Sequence, residues 1–294
     1  MELSLGLPNF GPWAGPDPRA LLDLAAAADR AGVDRLVVSD HVLLGRNTDA
    51  YRWGRFPTGP EAPWHEPLTC LTAFAAVTSR IRLATGILIA PLRRAALLAK
   101  TVATLDVLSA GRVDLGVGVG WQREEYDALG LEFSARGRLL EDTIGACRVL
   151  WNDLPASYSS RSVSFHDVFS SPQPVQQPLP VWFSGTLNDR NVRRITSLGD
   201  GWIPIMGASL DDIRKGSGLL RATTGRDVAV QAPLTPVRRD DKTVDIDAML
   251  AQVPELAEAG VTNVYANAAT LGRDPAEAAD KLPALVAGLL VALT

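Results

Sequence analysis

The hydrophobic positions along the chain follow two alternating patterns. Short runs such as residues 35–39, Arg-Leu-Val-Val-Ser, are almost continuously apolar, which is typical of parallel strands covered on both faces. Longer segments between these runs repeat apolar residues at helical spacing, as Leu21, Leu24 and Ala28 do before Gly32. The chain is therefore predicted to alternate strands with helices.

These patterns predict eight strands and eight helical segments. The strands are predicted at residues 3–8, 35–39, 81–89, 113–117, 180–184, 201–205, 228–232 and 262–266. The helical segments are predicted at residues 18–31, 66–79, 95–109, 123–150, 188–198, 210–223, 245–259 and 275–293. Eight alternations favour an α/β fold, a closed (β/α)8 TIM barrel forming one domain over residues 1–294, with an open doubly wound sheet as the alternative.

Two long segments interrupt this alternation. Residues 48–65, after the second strand, are rich in Trp, Pro and Gly. Residues 154–178, before the fifth strand, form an insertion with a short predicted strand at residues 163–165. Long ordered loops in compact domains are usually lids or binding loops, so we expect at least the first to cover a site.

Charge and apolar content exclude some partners. The net charge is −4, whereas a nucleic-acid-binding protein would show a basic face. The first residues lack the features of a signal peptide, and the longest apolar stretch, residues 282–293, is shorter than the ~20 residues of a membrane span. We expect a cytoplasmic protein whose partner is a small molecule, with no nucleic-acid or membrane partner.

The active site of a βα barrel lies at the carboxyl ends of its strands. The residues predicted there are Asn9-Phe10-Gly11, Asp40-His41, the segment 86–91 beginning with Gly86-Ile87, Gly118-Val119-Gly120-Trp121, Gly185-Thr186, Pro204, Gln231 and Asn267. Polar groups, glycines and an aromatic residue in this set suit a planar ring with a phosphate tail.

Asp40-His41 is the dipeptide with the clearest chemical potential. A histidine at a strand end can donate a hydrogen bond to a ring carbonyl or relay a proton near neutral pH, and the adjacent Asp40 can fix its tautomer. The alternative is a structural role for His41 in the loop that follows.

The glycine-rich run 116–120 does not form a dinucleotide-binding motif, because its third glycine would fall at Trp121 or Arg123. In a barrel, these glycines would instead let the backbone approach a ligand. Gly185-Thr186, just before a predicted helix start, is a second potential anion site.

Other charged residues have simpler interpretations. The three histidines are too scattered for an obvious metal site, so we expect none. Glu124-Glu125 at a helix start are best explained by the helix dipole. Arg93-Arg94, after the third strand, are interpreted as a solvated pair, with contact to an anionic tail as the alternative.

Several motifs together resemble the luciferase-like monooxygenase superfamily, and most closely its probable coenzyme F420-dependent oxidoreductase branch. They are Ser39-Asp40-His41-Val42 and the segments 83–91, 110–121, 122–126 and 198–202. The likeness weakens over residues 48–65, 154–178 and 240–247.

The resemblance implies a (β/α)8 barrel with an insertion before strand 5 and a non-prolyl cis peptide at Gly86-Ile87, in a bulge that backs the cofactor ring. It implies that Asp40 and His41 contact the ring edge as catalytic residues. Gly118, Val119, Gly120 and Trp121 would line the cofactor channel, and amides near Gly185 and Thr186 would bind the phosphate. The substrate would lie under residues 48–65, shielded by Trp53 and Trp64.

The implied activity is hydride transfer between coenzyme F420 and a small organic substrate, by a homodimer paired through the helices that flank strands 2 and 3. Gly45 stands where the sugar-phosphate dehydrogenase branch has a tryptophan, so no sugar phosphate is assigned. Three alternatives stay open: an FMN-dependent monooxygenase, a cofactor-binding protein without turnover, and a non-redox barrel enzyme acting on phosphates.

Overall fold

Parallel strands close into a ring in the computed structural model, which describes residues 1–15 and 17–293. In chain order the strands are β1 (Glu2–Gly6), β2 (Arg35–Val38), β3 (Arg82–Thr85), β4 (Leu88–Ile89), β5 (Val113–Gly118), β6 (Ala156–Ser159), β7 (Ser164–Val168), β8 (Val181–Ser184), β9 (Gly201–Ile203), β10 (Ala229–Pro233) and β11 (Asn263–Asn267). β1 pairs with β2 on one side and with β11 on the other. The predicted closed barrel is confirmed, and the open sheet is wrong.

The third barrel strand differs from the prediction. The apolar pattern predicts one strand over residues 81–89, but β3 and β4 are separated by Gly86 and Ile87. Both short strands pair in parallel with β5, so together they occupy one position in the ring of eight.

Helices on the outside of the ring connect successive strands. They are α1 (Ala20–Ala31), α2 (Pro67–Val77), α3 (Ala95–Leu108), α4 (Arg123–Ala128), α5 (Arg136–Asn152), α6 (Asp189–Leu198), α7 (Leu210–Thr224), α8 (Ile246–Leu250), α9 (Val253–Glu258), α10 (Ala268–Leu271) and α11 (Pro275–Ala292). The helix predicted at residues 245–259 is divided into α8 and α9, and Pro254 lies in the first turn of α9, where a missing N–H is tolerated. None of the helices in the described part of the chain has the length and apolar character needed to cross a bilayer.

The insertion at residues 154–178 contains a β-hairpin rather than a single short strand. β6 and β7 pair in an antiparallel manner outside the barrel sheet. The pairing extends the predicted strand at residues 163–165 toward Val168 and adds a partner strand that the apolar pattern did not indicate.

Ion-paired side chains fill the amino-terminal end of the barrel. Nε of Arg35 lies 2.6 Å from Oδ2 of Asp114, and Nη2 of Arg82 lies 2.6 Å from Oδ1 of the same carboxylate. Arg35 and Arg82 each begin their strand, and the Arg35 and Asp114 side chains are almost fully buried. These paired charges lie at the end of the barrel opposite to the one that carries the predicted site residues.

Candidate active site at the carboxyl ends of the strands

The residues that the family resemblance assigns to the site lie at the carboxyl ends of four neighbouring barrel strands, whereas Gln231, also predicted at a strand end, lies within β10 and donates to Asn263 at the start of β11. The assigned residues are Asp40 and His41 after β2, Gly86 and Ile87 between β3 and β4, Gly118 at the end of β5 with Val119, Gly120 and Trp121 after it, and Gly185 and Thr186 after β8. Because these strands are parallel, one rim of the barrel carries the whole set.

The bulge at residues 86–87 is exposed on this rim. The Gly86–Ile87 peptide bond is cis, as the resemblance implies. Gly86 is exposed, whereas Thr85 and Leu88 on either side of the bulge are buried. A Cβ atom at Gly86 would lie 2.4 Å from Cγ1 of Val37, so packing against β2 requires glycine there.

The Asp40 carboxylate faces Arg93. Nη1 of Arg93 lies 2.5 Å from Oδ2 of Asp40, and Nη2 donates to Oδ1 at 2.9 Å. The amide of Ile89 also donates to Asp40, at 2.8 Å, so the carboxylate ties the end of β2 to the end of β4. Two expectations are corrected: Arg93 is not a solvated residue, and Asp40 is not the carboxylate that orients His41.

Glu125 is the carboxylate beside His41. Its Oε2 lies 3.2 Å from Nδ1 of His41, and its Oε1 accepts a hydrogen bond from the Val42 amide at 2.8 Å. Glu125 is fully buried and His41 is only 9% exposed. Glu124 and Glu125 do lie in the first turn of α4, as the helix-dipole interpretation expects, but Glu125 also faces His41. The matching motif at residues 122–126 was a signal that this segment carries more than a helix start.

A buried tyrosine holds Glu125 in place. Tyr126 follows it on α4, is fully buried, and donates its hydroxyl hydrogen to the carbonyl oxygen of Val119 at 2.5 Å. Burial raises the pKa of the Tyr126 hydroxyl far above its ordinary value, so the group stays protonated as a donor. The contact fixes α4 against the segment that leaves β5.

Three aromatic rings from two parts of the chain, the loop at residues 48–65 and the segment after β5, enclose His41. The ring centroids of Trp64, Phe56 and Trp121 lie 4.8, 5.5 and 5.8 Å from that of His41. We refer to Phe56, Trp64 and Trp121 as the aromatic cover. Trp64 also stacks on Phe10 at 4.1 Å, so the first strand end supports the cover.

The loop at residues 48–65 carries most of the cover across the barrel mouth. The Tyr51 hydroxyl lies 3.5 Å from Sδ of Met206, which follows β9 on the far side of the rim. Trp53 is 36% exposed and lies against Tyr51, so of the two tryptophans expected to shield the site only Trp64 contacts His41.

Asn9 forms hydrogen bonds with Ser39, after β2, and with His65, at the end of the loop. Its Nδ2 donates to the carbonyl oxygens of Ser39 at 2.8 Å and His65 at 2.7 Å, and its Oδ1 accepts from the Ser39 amide at 3.0 Å. Asn9 is fully buried, so its hydrogen bonds are shielded from water. Asn9 thus links the segment after β2 to the last residue of the loop at residues 48–65.

The glycines after β5 have a different explanation from the one expected. A Cβ atom at Gly118 would lie 2.8 Å from Cδ1 of Ile87, and one at Gly120 would lie 3.0 Å from Cδ1 of Ile89. Gly120 also has a φ of +64°, which favours glycine. Packing against the third strand position is by itself enough to require these glycines, and their place in a cofactor channel stays a prediction.

The features suited to an anion lie next to Gly185 and Thr186. The Gly185 amide donates to the Ile203 carbonyl at 3.0 Å and so is not available to a phosphate. Beside it, at the start of α6, is a cavity of about 720 Å³, which we call the upper cavity; its lining residues are Val119, Ser134, Arg136, Gly137, Asn188, Asp189, Arg190, Arg193 and Arg194. Four arginines against one carboxylate make it basic, and Nε of Arg136 is buried there without a hydrogen bond.

The chain is similar in sequence to proteins of one family. The sequence model of the family described as luciferase-like monooxygenase matches residues 3–290. The chain is 33% identical over 252 residues to the F420-dependent glucose-6-phosphate dehydrogenase of Segniliparus rotundus, covering 82% of this chain and 68% of that protein. It is 29% identical over 207 residues to the FMNH2-dependent dimethylsulfone monooxygenase of Pseudomonas putida, covering 68% and 56%.

A solved structure shows the same fold. The crystal structure of the monooxygenase RslO1 from Streptomyces bottropensis superposes with a TM-score of 0.82 over 100% of both chains, at 18% sequence identity. The barrel of this chain is therefore a fold that is found in a solved structure.

Proposed function

Because this chain belongs to the luciferase-like monooxygenase family, we propose that it is an oxidoreductase that transfers hydride between coenzyme F420 and a small organic substrate. The observation that carries this proposal is the buried His41–Glu125 pair beneath the aromatic cover, on the same rim as the exposed bulge at Gly86. The 33% identity to an F420-dependent enzyme supports the choice of cofactor.

The residues present fit a flat ring with an anionic tail. The exposed backbone at Gly86 offers a flat surface against which the ring would lie. Nε1 of Trp64 is buried without a hydrogen bond, so this N–H is available as a donor to a bound molecule. Val119 links the two parts of the site, because it follows the last residue of β5 and also lines the basic upper cavity. Arg136 and Arg190 in that cavity would hold a phosphate.

His41 would act at the edge of the ring. Its Nδ1 faces Glu125, which leaves Nε2 free to accept a proton from, or donate one to, the ring or the substrate. The aromatic cover excludes water from this position and strengthens electrostatic interactions there. When bound, the deazaflavin supplies the hydride chemistry, and the protein supplies orientation and proton handling.

An FMN-dependent monooxygenase is the second candidate, favoured by the 29% identity to the Pseudomonas putida enzyme. The same rim would hold either ring. The four arginines of the upper cavity favour a cofactor with more negative charge than a single phosphate carries.

Titrations with the two cofactors test the proposal. We expect F420 to bind, as measured by the change in fluorescence of its ring, and FMN to bind much more weakly. Micromolar affinity for FMN without any binding of F420 would overturn the choice of cofactor.

The variant His41→Ala distinguishes an enzyme from a protein that only binds the cofactor. A screen of small alcohols and aldehydes first identifies a substrate that reduces F420. With that substrate, we expect His41→Ala to keep its affinity for F420 and to lose about 10²- to 10⁴-fold in the rate of ring reduction. An unchanged rate in His41→Ala would remove the catalytic role of this residue.

A further inference from the structure

The loop at residues 48–65 surrounds a cavity of its own beside the aromatic cover. The cavity has a volume of about 760 Å³, and every residue that lines it lies between Thr48 and Gly59, so we call it the loop cavity. This volume is within the range of about 300–1,000 Å³ that is usual for small-molecule sites. Phe56 lines the loop cavity, and its ring centroid lies 5.5 Å from that of His41. The loop cavity therefore adjoins the candidate active site through this ring.

The lining of the loop cavity includes one acidic and one basic side chain, and the two do not pair. Asp49 is the acid and Arg55 is the base, and both residues are exposed. Neither forms an ion pair or a side-chain hydrogen bond with any residue at positions 1–15 or 17–293. Opposite charges that line one cavity without neutralising each other can each bind the complementary charge of a ligand.

The rest of the lining adds a hydroxyl group and two aromatic rings. Oγ1 of Thr58 is buried without a hydrogen-bond partner in the described part of the chain, so it is available to a bound molecule. The rings of Tyr51 and Phe56 lie 5.4 Å apart at an angle of 68° and offer an apolar surface beside these polar groups. A few polar groups beside aromatic rings are the usual lining of a small-molecule site.

We propose that the loop cavity binds an amino acid with an apolar side chain, whose amino group pairs with Asp49 and whose carboxylate pairs with Arg55. The apolar side chain would lie against Tyr51 and Phe56, and the hydroxyl of Thr58 would donate to the carboxylate. This inference rests on the proposed function and deepens it, because it names the chemical class of the substrate. A molecule with only one of the two charges would leave Asp49 or Arg55 without a partner, so it would bind more weakly.

Three compounds with the same phenyl ring separate the two charges. Free phenylalanine carries both, 3-phenylpropanoate carries only the carboxylate, and 2-phenylethylamine carries only the amino group. Isothermal titration calorimetry at low ionic strength, with and without saturating F420, gives the dissociation constant of each compound. We expect free phenylalanine to bind about three- to fivefold more tightly than either single-charge compound, as suits one solvent-exposed ion pair.

Each charge of the loop cavity can be removed separately. Asp49→Asn should weaken the binding of free phenylalanine to the level of 3-phenylpropanoate, without weakening the binding of 3-phenylpropanoate itself. Arg55→Gln should weaken the binding of free phenylalanine to the level of 2-phenylethylamine, without weakening the binding of that amine. The two variants thus have opposite patterns on the single-charge compounds.

Matched controls make the same changes of charge outside the lining. Arg52→Gln removes a positive charge from an exposed position of the same loop, and Asp127→Asn removes a negative charge from an exposed position of α4. Both should leave the three dissociation constants close to those of the wild type.

The amino-acid site is overturned if free phenylalanine binds no more tightly than the single-charge compounds, or if Asp49→Asn and Arg55→Gln behave like their controls. Binding of F420 in the same protein would then leave the proposed function standing. Conversely, the expected pattern in a protein that binds no F420 would retain the amino-acid site and refute the proposed function.

Discussion

Oε2 of Glu125 lies 3.2 Å from Nδ1 of His41, and both side chains are buried below the aromatic cover. The other carboxylate oxygen accepts the Val42 amide hydrogen, so Glu125 is fixed from two sides. The contact lies within ion-pair distance, although neither Nδ1 of His41 nor Oε2 of Glu125 has a hydrogen-bond partner among the described residues. We expect Glu125 to act as a positioning residue for His41 through its charge and its fixed place against the ring.

Replacing Glu125 with glutamine should disturb the tautomer of His41. Glutamine keeps one acceptor oxygen for the Val42 amide and places an uncharged amide group opposite Nδ1 of His41, so the carboxylate charge that favours a proton on that nitrogen is lost. We expect ring reduction to slow about 10- to 100-fold with little change in cofactor affinity. Nitrogen-15 spectra of the imidazoles report the tautomer directly, and the chain has only three histidines to assign.

Two comparisons isolate the effect of Glu125. Asp127→Asn removes a carboxylate from an exposed position of the same helix and should change neither the rate nor the spectra. In a His41→Ala background, Glu125→Gln should cause no further loss of rate. Additive losses would mean that Glu125 does not act through His41.

We expect the main effect of Asp40→Asn to be a lower free energy of unfolding, rather than a direct effect on the rate of hydride transfer. The variant removes the carboxylate charge that faces the Arg93 guanidinium, whose side chain is 16% exposed, and leaves Glu66, 3.0 Å from Nη2, as its ion-pair partner. We expect a loss in the free energy of unfolding below the roughly 3–5 kcal/mol of a buried charge left without any partner, which urea denaturation measures directly. Asp40→Asn combined with Arg93→Gln should recover part of the loss, and a loss no larger than that of the exposed control Asp127→Asn would contradict the structural role.

Phe56→Ala should open the site to solvent. His41 is 9% exposed below this ring, whereas His65 and His166 are exposed. Diethyl pyrocarbonate should therefore modify His65 and His166 quickly and His41 slowly in the wild type. In Phe56→Ala, His41 should react severalfold faster, as followed by peptide mass spectrometry.

The control for this experiment is Phe169→Ala, which removes a ring that is 72% exposed on the insertion. It should leave the modification rate of His41 unchanged. Fast modification of His41 in the wild-type protein would show that the aromatic cover does not protect it.

The barrel was predictable from the sequence because apolar periodicity reports which faces of strands and helices are buried. The same pattern locates strand ends to within a few residues, so the amino-acid sequence alone assigns Asp40, His41 and Gly86 to one rim. The division of the third strand position at Gly86 was not visible in the pattern, because apolar residues continue on both sides of it.

The contacts within the site were harder to predict. Arg93 lies 53 residues after Asp40 in the sequence. Glu125 lies 83 residues after Val42, from whose amide it accepts a hydrogen bond. Asp40 and His41 were expected to act on each other as neighbours in sequence. Consecutive side chains of an extended segment point to opposite sides, and here one faces Arg93 and the other faces Glu125.

The arginines of the upper cavity are a further case. Arg136 begins α5, while Arg190, Arg193 and Arg194 lie on α6, more than fifty residues later. Each was one of many arginines in the sequence, and only the packing of the two helices brings them to one cavity.

A crystal structure of the protein bound to coenzyme F420 tests the central claim most directly. We predict density for a flat ring against the backbone of Gly86 and Ile87, with its edge within hydrogen-bond distance of Nε2 of His41 and its phosphate in the upper cavity. A ring bound elsewhere, or a bound ring that leaves His41 without contact to it, would contradict the account.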